Sequence, residues 1–316
     1  VIAPDVDLES AADTLRAWAL DEDLKQRVMA SPTLCALAAT VARRYTAGET
    51  VADAIAAARA VVGRGHRVSI EYAGESVRDA DLARTETRVF LELIAAVRAA
   101  GLASTVSFDL SHVGSVVDPG LAAAHVREMA AALEPVGTEL MISAEGSDRT
   151  DLVLDLYDEL AGDGVRVGVT LQARLHRTPA DLDRVLRHPG TVRLVKGAFL
   201  EPDGVAHRRG SAELTAAYLT LARRLVAAGH SASIATHDEA LVRALIAEHG
   251  TALTSGPVEF EMLLGLGPEL LDALRQEGFR TREYVVFGGE WWLYVLNRMA
   301  EHPHRVLTAL ADLSPR

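Results

Sequence analysis

The sequence predicts a (β/α)₈ barrel on three observations: eight short runs rich in β-branched residues, amphipathic helical segments between them, and a total span of about 250 residues. The runs are 68–73, 104–110, 138–144, 165–173, 191–197, 231–237, 258–264 and 284–288. Between them lie 80–100, 121–133, 150–160, 179–186, 212–228, 240–248 and 268–277, with helical apolar spacing and with Gly or Pro at most junctions. Strict alternation favours a parallel sheet, because each parallel pair needs a crossover and a helix supplies it. The rival doubly wound sheet has fewer strands and a Gly-x-Gly-x-x-Gly turn after its first strand, and Gly74-Glu75-Ser76-Val77 offers no such turn.

Ahead of the first run, residues 5–62 have helical spacing and no strand-like segment. Leu15, Trp18 and Ala19 share one face, and Leu34, Leu37 and Ala38 another. The expected organisation is therefore an N-terminal helical segment, 1–64, followed by a barrel domain, 65–316.

Composition removes several function classes. The formal net charge of −12 repels a phosphate backbone, which sets nucleic-acid binding aside. No uncharged apolar run is long enough to span a bilayer. Residues 1–10 are acidic and lack the basic and apolar regions of a secretory signal, and Cys35 is the single cysteine, so a reducing cytoplasm is the expected location. No residues have the spacing of a metal site: His237 lacks a second ligand, and His302-Pro303-His304 reads as a solvated turn.

In such barrels chemistry sits at the carboxyl ends of the strands. The polar residues there are Glu71 and Glu75, Asp109 with His112, Ser143 with Glu145, Gln172 with Arg174, Arg193 with Lys196, Thr236 with His237, Glu259 with Glu261, and Tyr284. Arg193 and Lys196 are three apart and face opposite ways on a straight strand, so at least one requires a partner inside. An electron-rich cofactor and an internal ion pair with Glu145 or Glu261 are both open readings. Thr236-His237 fits phosphate or ribose, or an ordinary structural role. Tyr294 and Arg298 share a helical face, where they suit either a small ligand or an aromatic cap. Arg208-Arg209 reads as surface charge in a loop.

Taken in order, Ile70-Glu71-Tyr72-Ala73-Gly74-Glu75, 106–114, 142–145, Leu171-Gln172-Ala173, 192–199, Ala235-Thr236-His237, 260–265 and 284–301 resemble the proline dehydrogenase family. The Val-Lys-Gly-Ala strand end, the Ala-Thr-His strand end and the Tyr…Asn-Arg-x-x-Glu helix carry most of the likeness. The resemblance implies an FAD enzyme on a distorted barrel that oxidises proline to pyrroline-5-carboxylate. It implies FAD contacts from Gln172, Arg193, Lys196, Gly197, Ala198, Thr236, His237 and Glu301, with Arg193 near the flavin N5 edge.

The same resemblance marks departures on the substrate side. Asp109 stands where the family has a lysine, and Asn297 where it has the first of two arginines, leaving Arg298 alone of three cations that hold the proline carboxylate. The local charge moves by about three units, each lost contact near 4 Å being worth up to roughly 4 kcal/mol at an effective dielectric of about 20. Ser143 replaces an aspartate and Phe199 a tyrosine, whereas Leu263, Tyr284 and Tyr294 keep the ring pocket.

The expected activity is flavin-dependent oxidation of a C–N bond in a small, proline-like cyclic amine altered at its carboxylate. Arg193, Asp109, Tyr284, Tyr294 and Arg298 are the catalytic candidates, and Asp109, Ser143, Leu263, Tyr284, Tyr294, Asn297 and Arg298 the substrate contacts. Ordinary L-proline oxidation, with Arg174 or His112 gripping the carboxylate, is the nearer alternative. Another two-electron flavin reaction and a flavin-free binding protein are the remoter ones. The electron acceptor (quinone, oxygen or a protein) and a homo-oligomer stay open.

Overall fold

The computed structural model describes residues 8–74, 76–202 and 204–301, so Glu75 and the His302-Pro303-His304 turn lie outside the described residues. Parallel strands β1 (Arg67–Tyr72), β2 (Ser104–Phe108), β3 (Leu140–Ile142), β4 (Val167–Gln172), β5 (Val192–Val195), β6 (Ala232–Ala235), β7 (Val258–Leu263) and β8 (Thr281–Phe287) form a closed barrel in chain order. β8 closes the ring against β1, with Ser69 beside Tyr284 and Ile70 beside Val285. The expected (β/α)₈ architecture is the one observed. β8 starts earlier than the sequence pattern indicates, because Arg282 and Glu283 mask a two-residue alternation that only pairing with β1 and β7 reveals.

Eight helices follow the strands: α5 (Ala80–Ala99), α6 (Pro119–Leu133), α7 (Thr150–Gly162), α8 (Thr178–Val185), α9 (Ala212–Ala227), α10 (Glu239–Ser255), α11 (Pro268–Gln276) and α12 (Trp292–Glu301). α5 shows why they form. Asp79 accepts from the amides of Asp81 and Leu82 at its N-terminus, and Phe90, Leu93, Ile94 and Val97 make one buried stripe. Each such side chain removed from water contributes roughly 1.5–3 kcal/mol. The stripe meets outward-facing Ile70, Val106 and Phe108 in the main apolar core.

The barrel interior is different. Such interiors are usually filled with branched apolar side chains, but here Ser69, Ser107, Arg193, Ser233, Glu259 and Glu261 are buried. Arg193 on β5 reaches Ser69 on β1 and Ser107 on β2, a path that runs through the interior. Period-two strands thus present apolar residues to the helices and a hydrogen-bonded ionic network to the axis.

Before β1 come α1 (Leu8–Ala19), α2 (Glu22–Ala30), α3 (Pro32–Ala42) and α4 (Val51–Gly63). α4 adds Ala54, Ala58 and Val61 to the main core. α1 joins a second cluster, in which Ala12, Leu15 and Ala19 pack with Trp292, Val295 and Leu296 of α12. The apolar faces expected from sequence are corrected in part: Trp18, Leu34 and Leu37 are 47%, 48% and 43% exposed. Trp18 contributes its carbonyl, which accepts from Trp292 Nε1 at 3.0 Å, and α3 buries only Ala42 fully.

Candidate active site

At the carboxyl ends of β1–β3 the side chains are mostly acidic. Glu71 Oε2 accepts hydrogen bonds from Ser143 Oγ at 2.6 Å and from the Tyr284 hydroxyl. Glu145 accepts from the Ser111 amide at 2.9 Å and pairs with Arg149 at 2.8 Å. Asp109 lies within the field of both carboxylates. Burial, and then Glu71 and Glu145, hold its carboxyl well above the usual carboxylate range, with Arg149 as the opposing influence. Glu71, Ser143 and Glu145 thus surround Asp109 at this end of the barrel, with Arg149 the nearby cation.

β4, β5 and β6 end in a different chemistry. Gln172 is buried, and its Nε2 donates to the Glu145 carbonyl at 2.8 Å, while its Oε1 has no hydrogen-bond partner. Next to it, buried Arg174 has an unpartnered Nε. Gly197 has φ +108°, and a Cβ there would lie 2.8 Å from the Arg174 side chain and 3.0 Å from Gln172 Oε1. A bare glycine is therefore required for the chain to turn past these groups. Lys196 Nζ donates to Asp238 at 2.7 Å, and Asp238 also caps α10 through the Leu241 amide. Burial raises the Asp238 carboxyl, but Lys196 and the helix amides outweigh it and leave the group lowered. Thr236 Oγ1 accepts from the Asp238 amide at 3.1 Å, and His237 Nε2 accepts from the Leu263 amide at 3.3 Å.

An acceptor and a donor left unsatisfied side by side, flanked by a lysine and a helix N-terminus, fit an isoalloxazine, whose pyrimidine edge carries an N–H between carbonyl oxygens. Ala198 supplies a carbonyl rather than a side chain, and that carbonyl accepts from Arg209.

Arg193 lies within the barrel. Its Nε and Nη2 bind Glu261 at 2.8 and 2.9 Å, Nη2 also reaches Ser107 Oγ at 3.1 Å, and Cζ sits 4.7 Å from the Tyr284 ring centre. Of the two readings open for its partner, the ion pair with Glu261 is present; Glu145 is engaged elsewhere. Burial lowers the guanidinium's pKa, yet Glu261 and Tyr284 outweigh it and leave the group raised.

On α12, Arg298 lies over the Tyr294 ring at 5.6 Å and pairs with Glu301 at 2.8 Å. The Tyr294 hydroxyl and Arg298 Nε are buried without partners. Burial raises the Tyr294 phenol. Asn297 is half-buried on the same helix, and Leu263 packs against the second apolar cluster.

Several strand-end candidates point elsewhere. His112 turns away to Glu86 at 2.8 Å and stacks near Tyr72 and Phe90, because Gly74 lies against its ring. Arg174 commits its two terminal nitrogens to the carbonyls of Phe199 and His207 at 2.5 and 3.3 Å, closing the loop after β5 and leaving only its Nε beside Gln172. Glu259 sits at the opposite end of β7, where it holds Arg282, Arg67 and Ser233. The surface reading of Arg209 is also corrected. It is half-buried on the Ala198 and Phe199 carbonyls, and burial together with Arg16 and Arg174 pushes its guanidinium down to about 10. No spacing in the sequence links Arg16, Arg174 and Arg209, since three remote segments bring them together.

Fold and site define a barrel enzyme whose strand ends carry Gln172, Arg174, Lys196 and Thr236 at β4–β6 and Glu71, Asp109 and Glu145 at β1–β3. The family model described as proline dehydrogenase matches residues 54–300. Proline dehydrogenase of Deinococcus radiodurans is 31% identical over 83% of this chain and 86% of its own, and proline dehydrogenase 2 of Bacillus subtilis is 28% identical over 87% and 91%. Among solved structures, proline utilization A of Bdellovibrio bacteriovorus superposes with a TM-score of 0.77 at 17% identity, and that of Bradyrhizobium japonicum with 0.69 at 23%. They share the fold over 98% and 82% of this chain, which spans only 38% and 30% of theirs. The chain belongs to the proline dehydrogenase family, whose members are FAD-dependent dehydrogenases acting on a CH–NH donor.

Proposed function

We propose that this enzyme dehydrogenates the C–N bond of a small cyclic amine related to proline whose carboxylate is masked, missing or replaced by a cationic group. An ester, an amide, a carrier-bound thioester or a decarboxylated ring meets that description. The observation that carries the reading is the charge of the substrate side: Arg298 is already paired with Glu301, and Asp109 lies close enough to Glu71 and Glu145 for both to raise its pKa. A free carboxylate brought there meets repulsion where the resemblance places a lysine.

Gln172, Arg174, Lys196, Thr236 and His237 would hold FAD, with Arg209 offering positive charge to its phosphates. FAD supplies the acceptor for the hydride leaving the carbon next to nitrogen. The chain's own part is alignment and exclusion of water. Tyr284 is fixed between Arg193 on its face and Glu71 at its hydroxyl, and Leu263 and Tyr294 supply apolar walls for a ring. Asp109 is available to a substrate ammonium.

One observation favours plain L-proline instead: Arg298 Nε is a buried donor without a partner. Steady-state rates of the FAD-loaded protein with L-proline, prolinamide, proline methyl ester and pyrrolidine separate the two. The proposal expects kcat/KM for L-proline to be the lowest of the set. L-proline turned over best, with that activity lost in Arg298→Ala, would overturn it. A purified protein without flavin absorbance that takes up no added FAD would remove both readings in favour of a binding protein.

A further inference from the structure

The Arg193–Glu261 pair carries a consequence for the flavin itself. Both side chains are buried, at 5% and 2% exposure, and they meet through two parallel hydrogen bonds across the barrel from β5 to β7. Ser69 Oγ donates to the same carboxylate at 2.7 Å, and Ser107 and the Tyr284 ring complete the surroundings of the guanidinium. Four strands therefore fix one orientation of Arg193. Desolvation makes the pair costly, but once formed it is electrically close to neutral, since each charge lies within contact of the other.

We infer that Glu261 is a positioning residue that clamps Arg193 and cancels its charge, so that the flavin is reduced beside a neutral ion pair instead of a lone cation. The inference rests on the proposed reading of an FAD enzyme and on the family resemblance, which implies that Arg193 lies near the flavin N5 edge. A lone buried cation favours the negative charge that a reduced flavin gathers and raises its potential, whereas a compensated one does so far less. Glu261 thereby sets how reducing the bound cofactor is. It does so through Arg193, and the same clamp seats Tyr284, whose hydroxyl reaches Glu71.

The test uses the full chain loaded with FAD, in wild-type form and as Glu261→Gln, Arg193→Gln and the double variant. Midpoint potential is read by equilibration with reference dyes, and sulfite affinity by bleaching of the flavin, since the sulfite adduct also places negative charge on the ring. Glu261→Gln keeps the side chain's shape and one acceptor oxygen but leaves Arg193 uncompensated. Its potential shifts positive and it binds sulfite roughly tenfold more tightly. Arg193→Gln shifts the potential negative, and the double variant returns close to wild type. A folded, yellow Glu261→Gln protein with unchanged potential and sulfite affinity overturns the inference. Should Glu261→Gln fail to fold, the double variant, which leaves no buried charge unpaired, decides: a potential matching Arg193→Gln, well below wild type, overturns the inference equally. A wild-type protein that binds no FAD would instead sink the underlying reading.

Discussion

Asp109 is the residue on which the substrate assignment turns, and its titration is measurable. Its carboxyl is raised by burial and by Glu71 and Glu145, so the folded protein holds that proton more tightly than the unfolded chain does. Stability then falls as pH rises from the unfolded value, near 3.9, through the folded one. Asp109→Asn removes the penalty and should raise Tm at pH 8 by about 2 °C, a gain that vanishes near pH 4. A gain of equal size at both pH values would mean the ionised carboxylate is not the cause. Glu86 has the opposite sign. The hydrogen bond from His112 lowers its pKa against burial, so its contribution is present above the unfolded value and lost as pH falls through the folded one. For function, restoring both cations with Asp109→Lys and Asn297→Arg should raise kcat/KM on L-proline by roughly a hundredfold, about tenfold for each contact. No improvement in steady-state assays would show that charge is not what excludes proline.

At the scale of elements, the loops after β1 and β5 are held by glycines whose missing side chains are required. A Cβ on Gly74 would lie 1.9 and 2.1 Å from the His112 ring, which Glu86, Tyr72 and Phe90 keep in place. Gly74→Ala should cost about 2–3 kcal/mol in urea denaturation, and a cost below measurement error would mean the ring moves freely. Gly197→Ala meets both a left-handed backbone and the Arg174 side chain. Because that loop carries Lys196 and joins Arg174 to the Phe199 carbonyl, the expected effect is on the cofactor. FAD affinity should fall at least about tenfold by fluorescence titration while the fold persists. Unchanged affinity would remove the loop from the flavin site.

For the molecule as a whole, α12 and α1 pack on one another in a second apolar cluster that takes in Leu263 and Leu266 at the end of β7. Trp292 is the joint: its ring is in the second apolar cluster and its indole N–H caps α1 at the Trp18 carbonyl. Trp292→Ala should cost about 3 kcal/mol or more and expose the α1 amides to hydrogen exchange before those of β1–β8. Exchange that stays uniform would show that α1 does not depend on α12. Among the described residues no helix is long and apolar enough to cross a membrane.

Much of this was legible in the amino-acid order. β-strand and helix periodicity, with Gly and Pro at the junctions, was sufficient for the eight-fold repeat, and Gln172, Lys196, Thr236 and His237 could be placed at strand ends because strand direction is implied by the repeat. Short-range physics governs those features, and short-range physics is written in neighbouring residues. Which polar groups meet is a different matter. Arg193 and Glu261, or Arg16, Arg174 and Arg209, approach one another only when strands and helices far apart in the chain close around a common axis. Charge and hydrogen bonding act through space, so the partner of each buried ion was decided by tertiary structure alone, whereas the loss of positive charge at Asp109 and Asn297 was already visible in the sequence.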